Sequence, residues 1–177
     1  KTKDAQTDKD GNHVILYASN KEAQHSYIQD ATAKGYEVLV LDSPIISHLM
    51  QKLEGGDAKV KFTRVDSDFI DHLIKKDEAA ISKLSDEEKE TLKPIIEGAV
   101  NNSSYTVQLE AMDSSASPFI ITIPEFMRRM KEMQASGGGG MMGMGNFPDM
   151  YNLVVNTNSP LVSEILAADE DKQQNLI

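Results

Sequence analysis

Apolar positions along the chain fall into two rhythms: short continuous or alternating runs, and stripes that repeat every three to four residues. Their order predicts the elements. The run 13–18 (HVILYA) predicts a buried strand. Ser19, with Glu22 after it, predicts a capping box that opens a helix, Ala23, Tyr27 and Ala31 being its buried stripe and Gly35 its stop. A second strand is predicted over 36–41. Ser43-Pro44 then opens another helix, with proline where its missing N–H costs nothing, and Gly55-Gly56 close it. Ile45, Ile46, Leu49, Met50 and Leu53 share one arc of that helix, and His48 and Gln51 fall opposite, toward solvent. Residues 58–65 alternate like a half-exposed strand. Strand, helix, strand, helix, strand predicts a small parallel α/β layer.

Ile70, Leu73 and Ile74 predict a short amphipathic turn, after which the charged stretches 75–78 and 86–90 mark a change of character. A boundary near 81–85 divides the chain into 1–82 and 83–177. Ser85 with Glu88 is a second capping box, starting a helix to about Val100 that packs through Leu92, Ile95, Ile96, Ala99 and Val100. Pro94 lies inside that helix and should kink it. A turn at 101–104 leads to strands over 105–110, 118–123 and 151–156, and Ser159-Pro160 begins a last helix through Leu161, Ile165 and Leu166. The fold class expected is α/β followed by α+β: a small three-layer parallel α/β subdomain, then a helix with a three-stranded sheet.

Between the last two strands the pattern changes kind. Residues 124–150 read PEFMRRMKEMQASGGGGMMGMGNFPDM. Phe126, Met130 and Met133 recur at helical spacing and Met127 widens the stripe, with Arg128, Arg129, Lys131 and Glu132 expected on the other faces. Glycines 137–140 end the helix, and Met141, Met142, Met144 and Phe147 follow. Methionine is unbranched and polarizable, so such a surface can mould to apolar partners of different shape.

Composition removes several classes. The chain carries 18 basic against 28 acidic residues, a formal net charge of −10, which argues against a nucleic-acid role because phosphate binding needs basic surface. With no cysteine, disulfides, thiolate chemistry and cysteine-ligated zinc are excluded. No apolar run approaches the roughly 20 residues that span a bilayer. The opening KTKDAQTDKDG has neither a signal-peptide core nor an initiator methionine, so the chain is read as a piece of a longer protein. Asp8 to Asn12 begins like a calcium loop, but His13 and Ser19 stand where such a loop needs glycine and glutamate, and a turn is expected instead. The turn Ala18-Ser19-Asn20-Lys21 lacks a glycine fingerprint for nucleotide phosphates, the four histidines share no ligand spacing, and no nucleophile elbow occurs. Catalytic residues, metal and cofactor are therefore expected to be absent from these residues.

With the motifs in this order, the chain resembles the heat shock protein 90 chaperones in their bacterial form. The carrying pieces are HVILYASNKEA, KGYEVLVLDSPIISHLMQKLE, LKPIIEGAV followed by two strands, and NTNSPLVSEIL, the last with the family's Asn-x-x-x-Pro helix start. The resemblance covers roughly residue 11 to 177. It implies that residues up to about 80 are the end of the family's middle domain and that those from about 85 are its C-terminal dimerisation domain. It implies a cytoplasmic, ATP-driven chaperone whose ATP and magnesium site lies upstream of these residues. It implies non-native client proteins as partners, no nucleic acid and no membrane, and a homodimer built on helices most of which lie past Ile177.

The Met-rich helix corresponds to the family's client-contacting helix, so Phe126, Met127, Met130 and Met133 are the expected contacts, with Met141, Met142, Met144 and Phe147 as an extension. Gln134 stands where some bacterial members carry an aromatic. His48 stands at the position of a client-contacting tryptophan of some members, with Gln51 one turn later, so both join the expected contact set. Three rivals remain at this level: a structural dimerisation module without client contact, a methionine-rich signal-peptide-binding module, and a small nucleotide-binding α/β enzyme.

Overall fold

A computed structural model describes residues 5–43, 46–56, 59–74, 80–135 and 149–177; of 132–135, 170, 171 and 174 only the backbone is described. The chain divides into two compact units, Lys1–Glu78 and Ala79–Ile177.

In the first unit, β1 (His13–Ala18), β2 (Val38–Val40) and β3 (Val60–Arg64) form a parallel sheet in the order β2-β1-β3. Leu16 registers with Val38, and His13 with Val60. Side chains alternate across a strand, so a central strand covered on both faces must be apolar throughout. β1 is. Val14, Leu16 and Ala18 pack with Ala31 of α1 (His25–Ala33) and with Leu73 and Ile74 at the end of α3 (Ile70–Leu73). Tyr17 points the other way, joining Phe62 and Met50 of α2 (Ile46–Glu54). Helices thus lie on both faces of the sheet, which is the three-layer arrangement expected. The Tyr17 and Phe62 rings meet edge to face, 6.5 Å between centroids.

Two local expectations change. The Ser19–Glu22 capping box does not form, and α1 starts later than the sequence suggested. Asn20 Oδ1 accepts from the N–H groups of Glu22 (3.1 Å) and Ala23 (3.0 Å), while buried Gln24 turns back so that its Oε1 accepts from Ser19 and Asn20 N–H (2.8 and 2.9 Å). Two amide side chains therefore satisfy the donors that a serine cap would have taken. Ala23, in that turn, is exposed. The helix stop is as read: Gly35 sits at φ +78°, and Tyr36 N–H donates to Ala31 C=O at 3.0 Å. At 8–12 the chain makes a turn, Gly11 having φ +78° and Asp8 Oδ1 accepting from Asp10 and Asn12 N–H.

In the second unit, Ser85 and Glu88 form the reciprocal capping box that opens α4 (Asp86–Val100). The helix continues through Pro94 and closes on Asn101 in the left-handed region at φ 41°. β4 (Tyr105–Glu110), β5 (Phe119–Thr122) and β6 (Tyr151–Asn156) make a mixed sheet in the order β4-β6-β5, with β4 parallel and β5 antiparallel to β6. Leu92 and Ile96 of α4 pack against Val107, Leu153 and Val155 of the sheet and against Val162 and Ile165 of α6 (Pro160–Ala167); α7 (Glu170–Leu176) follows.

The link from β6 to α6 is buried and wholly polar. Asn156 Oδ1 accepts from Met112 and Asn158 N–H, and its Nδ2 donates to Asp113 C=O at 2.8 Å. Asn158 Nδ2 donates to Ile81 and Met112 C=O, both at 3.0 Å, and its Oδ1 accepts from Lys83 N–H. Thr157 Oγ1 accepts from Ser82 Oγ at 2.9 Å. The end of β6 and this three-residue link together thereby fix the segments at 81–83 and 110–113, satisfying buried amides that would otherwise each cost about 1–3 kcal/mol.

Candidate functional site

The Met-rich stripe lies on α5 (Glu125–Ala135), which leaves β5 after only Ile123 and Pro124. Arg128 N–H donates to Pro124 C=O at 3.1 Å, closing the first turn, and Glu125 places a carboxylate at the positive end of the helix. Glu125 accepts from Arg128 through both Nε (3.2 Å) and Nη2, and from Arg129 Nε at 2.7 Å. Burial pushes the Glu125 carboxyl up, but the hydrogen bonds and charges of Arg128 and Arg129 outweigh it and hold the group below the ordinary carboxylate range.

Phe126 is 70% exposed and Arg128 only 5%. Met127 and Met130 are half-buried. Arg128, expected on a face away from the stripe, is buried there and hydrogen-bonded by Glu125 one turn earlier, which periodicity of apolar residues does not register. Opposite charges at i,i+3 and i,i+4 were the readable signal. The α5 backbone includes Met133 and Gln134, whose side chains lie outside the described residues, as do Met141, Met142, Met144, Phe147 and glycines 137–140. On the far side of that stretch Asp149 pairs with Lys131, both side chains well exposed, and Met150 is 40% exposed.

In the other unit His48 and Gln51 of α2 are exposed. The apolar arc of α2 is only partly covered: Met50 is buried, but Leu49 and Leu53 are 49% and 43% exposed. Among the described residues, the sheet receives Met50 and Ile46 of this helix, and Leu49 and Leu53 are left largely uncovered. Leu39 and Val40 on the edge strand β2 are exposed as well. The sequence reading missed these four residues as surface.

The chemistry available is that of contact. At the carboxyl ends of the parallel strands, where α/β layers take ligands, Arg64 is bound two-pronged by Asp66 (Nε–Oδ1 2.5 Å, Nη2–Oδ2 3.1 Å). Among the described residues no acidic, histidine or cysteine group is arranged to hold a metal ion, and no helix is long and apolar enough to cross a membrane.

Comparison with known proteins gives a consistent picture. The chain is similar to the chaperone protein HtpG of Porphyromonas gingivalis, 41% identical over 169 residues, which is 94% of this chain and 25% of the relative. The chaperone protein HtpG of Bacteroides thetaiotaomicron is 42% identical over 171 residues, 95% of this chain and 25% of the relative. For that of Bacteroides fragilis the figures are 43% over 178 residues, 97% and 25%. The chain therefore spans about a quarter of the length of the curated relatives it matches. No protein-family model matches it.

Proposed function

We propose, from the premise that this chain belongs to the heat shock protein 90 family of HtpG chaperones, that α5 binds unfolded or partly folded proteins through its apolar face. The observation that carries this is the exposure of Phe126, 70%, on a helix whose Arg128 is buried. Clustered apolar side chains left in water mark contact surface. Phe126, Met127, Met130 and Met133 are the contact set, with Met141, Met142, Met144 and Phe147 extending it. α2 supplies a second contact through exposed His48 and Gln51, with Leu49 and Leu53 exposed on another face of the same helix.

ATP binding and hydrolysis, with magnesium, belong in this proposal to the part of the relatives' length that the chain does not span. Residues 1–82 are then the end of a middle domain and 83–177 most of a C-terminal domain, acting as a homodimer in the cytoplasm.

The test replaces Phe126, Met127, Met130 and Met133 together with serine and follows light scattering of a heat-aggregating client protein. Protection by the parent chain and its loss in the variant, with far-UV circular dichroism and melting temperature unchanged, support the reading. Equal protection by both, or a collapse of the melting temperature, overturns it, because the side chains are then inert or are core.

A further inference from the structure

Only Met50 and Met112 of the chain's nine methionines lie outside residues 127–150, and the chain has no cysteine. Those two are buried, Met50 against Tyr17 and Phe62, and Met112 beside the polar link that binds its N–H and C=O. Within 127–150 the described methionine side chains are not: Met127 and Met130 are half-buried and Met150 is exposed. At about 100° per residue, Met130 lies one turn beyond Phe126 and about 40° round the helix from it, and Met127 about 100°. Both therefore flank a side chain that stands in water. An oxidant dissolved in that water meets the thioethers of α5 before the two buried ones, and finds no thiol in this chain to take it first.

We propose that Met127 and Met130 are a reversible oxidation site that switches the contact face of α5 from apolar to polar. With hydrogen peroxide, a sulfur lone pair attacks one peroxide oxygen, the O–O bond breaks and an S–O bond forms. The hydroxide released takes the proton left on the transferred oxygen, giving sulfoxide and water; sulfur loses two electrons and peroxide gains them. The sulfoxide oxygen is a hydrogen-bond acceptor, and covering it with an apolar client surface that offers no donor is costly. Methionine sulfoxide reductases reverse the step, a dithiol becoming a disulfide as the oxygen leaves in water. The fold survives the cycle because the methionines that pack inside, Met50 and Met112, are shielded. The inference rests on α5 being a contact helix, but its chemical half is read without any client protein, so the two fail separately.

The chain is treated with hydrogen peroxide, and peptide masses give the rate at which each methionine gains one oxygen. Met127 and Met130 are expected to react on the order of tenfold faster than Met50 and Met112, with the melting temperature unchanged and the starting masses restored by the two reductases, one for each sulfoxide epimer. Equal rates at all four positions, or a melting temperature that falls as Met127 and Met130 react, overturns the proposal. The heat-aggregating client then reads the consequence. Oxidised parent is expected to lose protection, whereas M127L/M130L, still apolar there but without the sulfur, keeps it through the same treatment. M127Q/M130Q, polar without any oxidant, is expected to lose protection at the parent's melting temperature. Loss in the treated leucine variant equal to the parent's, or full protection by the glutamine variant, overturns the switch. A parent that protects nothing before treatment sinks the client reading of α5 and the switch with it, while the measured rates still decide the oxidation site.

Discussion

α4 and α5 are both amphipathic helices of the second unit, and they spend their apolar faces in opposite ways. α4 aims Leu92 and Ile96 into a core completed by Val107, Val155, Val162 and Ile165, and both side chains are fully buried. α5 has Phe126 in water and a guanidinium inside. Periodicity states only that a helix has an apolar side. Whether that side is covered depends on what else is near and on which other groups claim the inner position. In α4 the sheet and α6 receive the apolar stripe; in α5 Arg128, hydrogen-bonded to the partly exposed Glu125, lies inward.

The largest effect that tests this contrast is in α4. Ile96→Ala is expected to cost about 2–5 kcal/mol in urea unfolding, the usual range for emptying a core site. A loss under about 0.5 kcal/mol, the range of an ordinary surface change, would put α4 and α5 in the same class and break the comparison. Next comes the polar link that frames the same core. Asn156→Ala strands Met112 and Asn158 N–H and Asp113 C=O. A loss of about 1–3 kcal/mol is expected by the same denaturation, and an unchanged midpoint would mean that these amides do not hold the core.

The smallest effect sharpens the α5 side through pH. The folded pKa of Glu125 lies below its ordinary value of 4.5. Its pairing therefore adds stability that is fully present above pH 4.5 and is lost as pH falls through the folded value. Parent and Glu125→Gln should differ most at neutral pH and converge on acidification below 4.5, as read by denaturant midpoints across pH. A gap that widens with acid would mean the carboxylate is not engaged with the arginines.

Much of the architecture was legible because it is written locally. Ser85 and Glu88 make their capping box, Gly35 takes the left-handed stop, and the runs at 13–18 and 151–156 become central strands. Each depends on neighbours a few residues away. What escaped depends on distant ones. Gln24 displaced the Ser19 cap because buried Gln24 could reach Ser19 and Asn20 N–H, a contest between side chains that a capping pattern does not weigh. Leu49 and Leu53 stayed exposed because the width of the sheet, not the helix, determines how much of an arc is covered. The motif NTNSP announced a helix start, but the ties from Asn156 to Met112 and from Asn158 to Ile81 span 44 and 77 positions and leave no local trace. On α5 the apolar stripe was visible, and the face it would take was not.

The strand orders of the two sheets have a kinetic meaning. In the first, the central strand β1 precedes both of its partners in the chain, so each later strand has a template waiting. In the second, the central strand β6 comes after both edge strands, which do not touch each other. A ribosome therefore makes β4, β5 and α5 before anything can join them, and closure waits on contacts between distant residues, the slow kind. Until residues 151–156 emerge, the Met-rich helix trails from an unpaired strand. β6 ends the interval in which β5 lacks a partner, while Phe126 of the helix beside it stays in water even in the finished fold.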